Sequence, residues 1–288
     1  MRAQDYVSIT ENPHNAQIVE TIQSAAFVLS LDDDLPVNII DDSKMLWHGR
    51  WRKEHHQHAY LGLRNRWVDK PVQFIVYDNG KAGLMGEHSV MDGTPTVALC
   101  DAVLDAIADP AFDAGVPGTE PLAPPQPLDW KLHEGHTRAL VSANAKARIL
   151  IKNQELRVVR TPYGKAAVKA FGVGPDSWAQ MLVQLAYRRL LARSGKLRPG
   201  ATYEAAQTRR FFKGRTEAIR VVTVESDAWV ASMDDESVGD ERRKELFQAA
   251  VKKHVKLAKE AGNGQGVDRH MLGMSFIWVW WASAEGPS

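Results

Sequence analysis

Gly86-Glu87-His88-Ser89-Val90-Met91-Asp92-Gly93 is the stretch on which the reading of this chain turns. It follows Asn79-Gly80, the strongest short signal of a β-hairpin, which predicts strands over 72–77 and 83–88. The second strand delivers His88 at its end, with Asp92 four residues later and Gly93 beside it. A neutral imidazole, with a pKa of about 6.5, takes a proton from a thiol or hydroxyl at neutral pH when its second nitrogen is held. Asp92 is the candidate that holds the loop and the ring. Read in isolation, so short a match is met more often by a plain strand-end histidine and a turn aspartate. The rest of the chain has to decide.

Upstream, Ile18, Val19, Ile22, Ala26 and Leu29 recur at the spacing of one helix face and predict a packed helix over 16–29. The polar residues 32–43 and the histidine-rich residues 47–58 read as a long surface loop. His48, His55, His56 and His58 are of a type that suits zinc or copper. With no cysteine beside them in a polar, irregular stretch, they are assigned to a solvated loop or insertion and not to a metal site.

Downstream, a helix is predicted over 97–108, ending at Asp109-Pro110. Pro117, Pro121, Pro124, Pro125 and Pro127 make residues 115–128 a semi-rigid connector, taken as the boundary between domains 1–128 and 129–288. The second half alternates a helix over 134–151, a strand over 155–160, a helix over 176–192, a strand over 218–224 and a helix over 240–261 that stops at Gly262. The helix over 176–192 is expected to be capped by Asp176 and to bury Trp178, Met181, Leu182, Leu185 and Leu190. Such alternation predicts an α/β architecture.

The 288 residues suffice for two ordinary domains with a buried core. With 44% hydrophobic and 25% charged residues the composition is that of a soluble globular chain. Against 36 Lys and Arg stand 35 Asp and Glu, a net charge of +1, so no bulk field points to nucleic acid or an acidic membrane. Any anion site must be local. The single cysteine, Cys100, excludes an internal disulfide framework and a Cys-rich zinc site, and fits a reducing, intracellular setting. The apolar run Phe276-Ile277-Trp278-Val279-Trp280-Trp281-Ala282 falls far short of the roughly 20 residues of a membrane-spanning helix. Asp5, Glu11 and Glu20 fit neither a secretory signal nor a transit peptide.

His88-Ser89-Val90-Met91-Asp92-Gly93 resembles the catalytic signature of CoA-dependent acyltransferases. Asn65-Arg66-Trp67-Val68-Asp69-Lys70 and Gln73-Phe74-Ile75-Val76 narrow the resemblance to the carnitine/choline acyltransferase family. Tyr163-Gly164-Lys165, Pro175-Asp176, Thr202-Tyr203-Glu204, Gly214-Arg215-Thr216-Glu217, Ile219-Arg220, Glu225-Ser226 and Asp268-Arg269-His270-Met271-Leu272-Gly273 are similar to that family in the same order. The likeness covers nearly the whole chain and outweighs the plain reading of His88. It implies an α/β, two-domain CoA-dependent acyltransferase (chloramphenicol acetyltransferase-like) fold, with mixed sheets flanked by helices and here incomplete. Domain 1–128 is then the C-terminal part of a first α/β domain carrying the catalytic histidine. Domain 129–288 is the N-terminal part of a second, carrying CoA and carnitine contacts.

Lys165 and Lys169 lie four residues apart, where two ammonium groups share a phosphate, although two solvated lysines are the commoner case. The resemblance implies that they bind the phosphates of CoA, with Asp176 in the same CoA-contacting stretch. Tyr203 and Thr216 carry hydroxyls that suit a ligand carboxylate or an ordinary strand or loop position equally well. By resemblance they bind carnitine. Arg269 separates the branches, because carnitine has a carboxylate for a guanidinium and choline has none. The choline branch of the family lacks arginine here, so Arg269 favours carnitine, the alternative being a plain ion pair with Asp268.

The implied reaction is reversible transfer of a short acyl group between CoA and carnitine, with His88 as general base and Asp92 beside it. Residues 65–70 and 233–238 resemble the acetyl-transferring branch. No prosthetic group is implied, CoA or acyl-CoA being a co-substrate, and the partners are acyl-CoA and carnitine, with no nucleic acid. The family likeness implies a monomer in the mitochondrion or peroxisome. Members of the family are longer and carry a Ser-Thr-Ser motif, absent here, for carnitine and the oxyanion. The chain is therefore expected to be truncated, with weak or no turnover. A non-catalytic CoA-binding fragment and a CoA-dependent acyltransferase with another acceptor stay open beside it. The tail after Gly273, with Trp278, Trp280 and Trp281, lies beyond the family pattern.

Overall fold

In the computed structural model, which describes residues 3–49, 52–53, 60–61, 65–113, 115, 118, 124–195 and 200–284, the chain opens with helices α1 (Ala3–Thr10) and α2 (Pro13–Ser24). Asn12 caps α2, its Oδ1 accepting from the His14 N–H at 3.0 Å, and Pro13 takes a first-turn position that needs no N–H. The helix ends at Ser24, not at residue 29. Residues 28–32 instead form strand β1 (Val28–Asp32), and a short apolar run there fits either period until a partner strand decides it.

Asn38 then starts helix α3 (Ile39–His48), its side chain accepting from the N–H groups of Ile40 and Asp41, both at 3.0 Å. The predicted loop is thus helical over residues 39–48. Asp41 and Asp42 sit at the favourable positive end of that helix, and Gly49, with φ 68°, terminates it. His48 closes the helix, with Nδ1 2.7 Å from the Gly49 carbonyl oxygen. His55, His56 and His58 lie outside the described residues. Two short strands follow, β2 (Arg52–Lys53) and β3 (Tyr60–Leu61), paired antiparallel.

The expected hairpin forms from β4 (Val72–Tyr77) and β5 (Ala82–Gly86). Gly80 supplies the one left-handed residue of the turn, φ 77°, and its N–H donates to the Tyr77 carbonyl at 2.9 Å. β1 adds to β4 in parallel, giving the sheet order β1-β4-β5. Its buried face, with Ile75 and Tyr77, packs on Met45 of α3. The segment 65–70 serves this sheet. Arg66 and Asp32 form a buried ion pair at 2.7 Å, and Lys70 Nζ donates to the last carbonyls of α2, Ile22 and Gln23, at 2.7 and 2.9 Å.

Helices α4 (Gly93–Ala108) and α5 (Glu134–Lys152) match their predicted positions but bury no residue; Leu104, Ile107, Ile149 and Leu150 are exposed. Both belong to the first of two compact units, Met1–Val159, as do the described residues 124–128 of the proline-rich connector. The chain just beyond the prolines is held to α2: the Asn15 amide exchanges two hydrogen bonds with the Lys131 backbone, at 2.8 and 2.9 Å. Trp67 stacks on Trp130. The division between the units therefore follows α5.

The second unit is Arg160–Ser288. Residues 155–160 form no strand, since none of the described strands pairs with them. Helix α6 (Lys165–Ala170) leads to α7 (Pro175–Arg193), which Pro175 opens after Gly174; Asp176 sits in the first turn and is not its cap. Strands β6 (Glu204–Gln207) and β7 (Thr216–Ile219) pair antiparallel. The second strand begins and ends earlier than predicted, because Thr223 and Ser226 exchange a capping box that starts helix α8 (Val224–Ser232). Helices α9 (Asp240–Gly262) and α10 (Asp268–Ala284) complete the unit. No helix of the described residues is long and apolar enough to cross a membrane.

Met181 and Leu185 of α7, Val221, Trp229 and Val230 at α8 and Ala250 of α9 form the main core. Ala206, Ile219 and Ala261 seal the hairpin onto α9. Leu182 and Leu190, predicted to be buried, face outward instead. Met181 is 0% exposed and Leu190 61%. Met181→Ala is therefore expected to cost about 2–5 kcal/mol in urea unfolding, and Leu190→Ala no more than about 0.5 kcal/mol; equal losses would contradict this packing.

Candidate functional site

Tyr203 precedes β6, Thr216 opens β7, and Arg269 is in the first turn of α10. The fold brings the three together. Arg269 Nη2 donates to the Tyr203 hydroxyl at 3.3 Å and to Thr216 Oγ1 at 3.0 Å, while Nε donates to the Thr216 carbonyl at 2.8 Å. Each hydroxyl acts as acceptor, so its own hydrogen is left to donate to something else. Arg269 Nη1 has no hydrogen-bond partner among the described residues. The site faces outward, with Tyr203 63% exposed. Two O–H donors and one guanidinium edge in one exposed cluster are groups of the kind whose chemistry suits a carboxylate.

A buried carboxylate sets this arrangement. Glu217 accepts from the Ala218 N–H at 2.7 Å and, through both oxygens, from the Arg269 N–H at 3.3 Å. It thus lies at the positive end of α10. A side chain on Gly266 would run into Glu217, so the approach to α10 needs glycine there. Asp268 pairs with Arg220, which leaves the Arg269 guanidinium to the strands, not to its own neighbour.

Lys165 and Lys169 lie one turn apart on α6, both exposed. Tyr163 and Phe171, on either side of α6, pack their rings against Trp178 of α7, and the Trp178 Nε1–H donates to the Tyr163 hydroxyl at 3.4 Å. This aromatic group ties the lysine-bearing segment to the turn that carries Asp176.

His88 belongs to the first unit, two residues beyond the end of β5. Its Nδ1 is 3.6 Å from Asp92 Oδ1, outside hydrogen-bond length but within ion-pair range, and its side chain is 80% exposed. Glu87 accepts from both the N–H and the hydroxyl of Ser89, which holds its carboxyl below the usual range.

Sequence reasoning overlooked Glu217 and a second polar group inside the second unit. The buried His254 of α9 bridges Ser177 and Glu204, each at 2.8 Å. The signal was present: Ala250, His254, Leu257 and Ala261 follow the spacing of one helix face, and a histidine in an apolar stripe needs partners. Burial pushes the Glu204 carboxyl up, partly offset by the His254 bond and reinforced by a hydrogen bond with Asp176.

A family model described as Choline/Carnitine o-acyltransferase matches residues 2–285, so the tail after Gly273, as far as residue 285, falls inside the family match and not beyond it. The chain belongs to that family. It is 33% identical over 280 residues to the mitochondrial carnitine O-acetyltransferase of Saccharomyces cerevisiae, covering 93% of this chain and 39% of that protein. It is 33% identical over 277 residues to the human carnitine O-acetyltransferase, covering 94% and 42%. The bovine peroxisomal carnitine O-octanoyltransferase is 32% identical over 283 residues, covering 96% and 43%. The chain thus spans about two fifths of the length of these relatives.

A carboxyl whose folded pKa is raised above its ordinary 4.5 adds stability that is present below that value and lost as pH rises through the folded one. Glu204→Gln copies the protonated acid's hydrogen bonds without its charge. The variant is expected to match the parent chain in thermal unfolding near about pH 4 and to melt higher near about pH 8; no gain at the higher pH would contradict the raised Glu204 carboxyl.

Proposed function

We propose that this chain carries the general base and the CoA and carnitine contacts of a carnitine O-acyltransferase that moves a short acyl group, acetyl being favoured. One observation carries the reading: Arg269, bonded to the Tyr203 hydroxyl and Thr216, leaves two hydroxyl hydrogens and a guanidinium edge for a carboxylate. Carnitine offers that carboxylate and choline does not. Lys165 and Lys169 take the phosphates of CoA, with Asp176 beside them. The two-domain, chloramphenicol acetyltransferase-like fold is the architecture that the family likeness supports for the whole protein, with residues 1–128 supplying His88 and residues 129–288 the ligand contacts.

In this chemistry His88 accepts the carnitine hydroxyl proton as the oxygen attacks the acyl carbonyl. The C–S bond breaks and the departing CoA sulfur takes the proton back. The reverse direction begins with the thiol. Holding both substrates supplies the proximity term, and neither proton nor acyl transfer calls for a prosthetic group. Relatives with mitochondrial and peroxisomal names support either compartment.

A second reading, a CoA-binding chain without turnover, is favoured by the exposure of His88 and its 3.6 Å separation from Asp92. Thiol release from acetyl-CoA in the presence of carnitine separates the two. Weak turnover is expected, falling about 100-fold or more in His88→Ala; CoA binding with no carnitine-dependent thiol release would favour the second reading. Arg269→Asn is expected to weaken carnitine binding about tenfold to 100-fold and to leave CoA binding unchanged. Unchanged carnitine affinity would point to another acceptor.

A further inference from the structure

Ser177, His254 and Glu204 come from α7, α9 and β6 and meet in a line of hydrogen bonds that the acyl-transfer chemistry leaves unused. The His254 ring is 2% exposed. Its Nδ1 is 2.8 Å from Ser177 Oγ and its Nε2 is 2.8 Å from Glu204 Oε2. Glu204 in turn adjoins Asp176: ligand atoms of Asp176, Glu204 and His254, one from each, lie within 4.8 Å of one another. One assignment of protons satisfies every bond. The Ser177 hydroxyl donates to Nδ1, and the Nε2–H donates to Glu204. Both ring nitrogens are engaged, and the group is a hydrogen-bonded brace.

The ends of this brace are significant. Asp176 adjoins Ser177 at the start of α7, and Glu204 adjoins Tyr203 at the start of β6. We propose that His254 is a positioning residue: by holding Glu204 through Nε2 it fixes the Asp176 carboxyl for CoA and the strand end that bears Tyr203. The inference rests on Asp176 as a CoA contact. Ser177, on the far side of the ring, selects the orientation that presents Nε2 to Glu204.

Two substitutions separate the two bonds. His254→Gln reaches the position of Nε2 and keeps a donor for Glu204. His254→Asn reaches only the position of Nδ1 and keeps a partner for Ser177. Calorimetric titration of the full chain with CoA, together with thermal unfolding, reads the difference. The parent chain and His254→Gln are expected to bind CoA within about threefold of each other, and His254→Asn about tenfold more weakly with a melting temperature close to that of His254→Gln. Equal CoA affinity in the parent chain and His254→Asn would overturn this inference alone. Losses of affinity that simply track losses of melting temperature in both variants would also overturn it. A parent chain that does not bind CoA overturns the reading of Asp176 and this inference with it. Where His254→Asn does not fold, Glu204→Gln replaces it: CoA affinity within about threefold of the parent chain is expected, and a tenfold loss would overturn the inference.

Discussion

Arg269 stands in the first turn of a helix whose N-terminus rests on the buried Glu217 carboxylate, and its guanidinium reaches back across two strands. A buried carboxylate is costly unless its oxygens are hydrogen-bonded. Backbone N–H groups of Ala218 and Arg269 meet that need, and Gly266 leaves room for it. The start of α10 is thereby fixed against β7, which aims the arginine at Thr216 and Tyr203. The guanidinium is then held beside the two hydroxyls by its own bonds to Thr216 and Tyr203.

The same economy of charge runs through the second unit. The chain is nearly neutral, at +1, so anion recognition has to come from groups assembled locally. Lys165, Lys169 and Arg269 are exposed cations, each set on an element held by a polar or aromatic contact beneath it. The His254 brace joins α7, α9 and β6 by directional bonds, where the hydrophobic core would tolerate small slips. A packed core is non-directional, and a hydrogen-bonded line is not.

What was legible in the sequence were features encoded locally. The Asn79-Gly80 turn, the positions of α4, α5 and α9, and the local spacing of His88 and Asp92 are written within short windows. Failures came where a distant partner decides. Residues 26–29 look helical until β4 offers a parallel ladder, and residues 155–160 look like a strand but find no partner. Leu190 fits a helical stripe yet faces outward. The α3 helix was missed although Asn38 announces it, because the polar stretch was read as loop, and α8 was missed although the Thr223/Ser226 box announces it, because Thr223 was read into a strand. For the site, the meeting of Tyr203, Thr216 and Arg269 was accessible only through family resemblance, since they are far apart along the chain. Glu217 and Glu204 were invisible as site residues because burial, which gives a polar side chain its effect, is a property of the fold, whereas His254 was marked by the apolar stripe around it and overlooked.

In the proposed function the Arg269 cluster recognises a carboxylate. Calorimetric titration of the chain with carnitine, and separately with choline, tests it most directly, since the two ammonium alcohols differ at the group the cluster is suited to bind. Carnitine is expected to bind at least about tenfold more tightly than choline, the effect of one charge-assisted contact. Equal affinity for the two would contradict it.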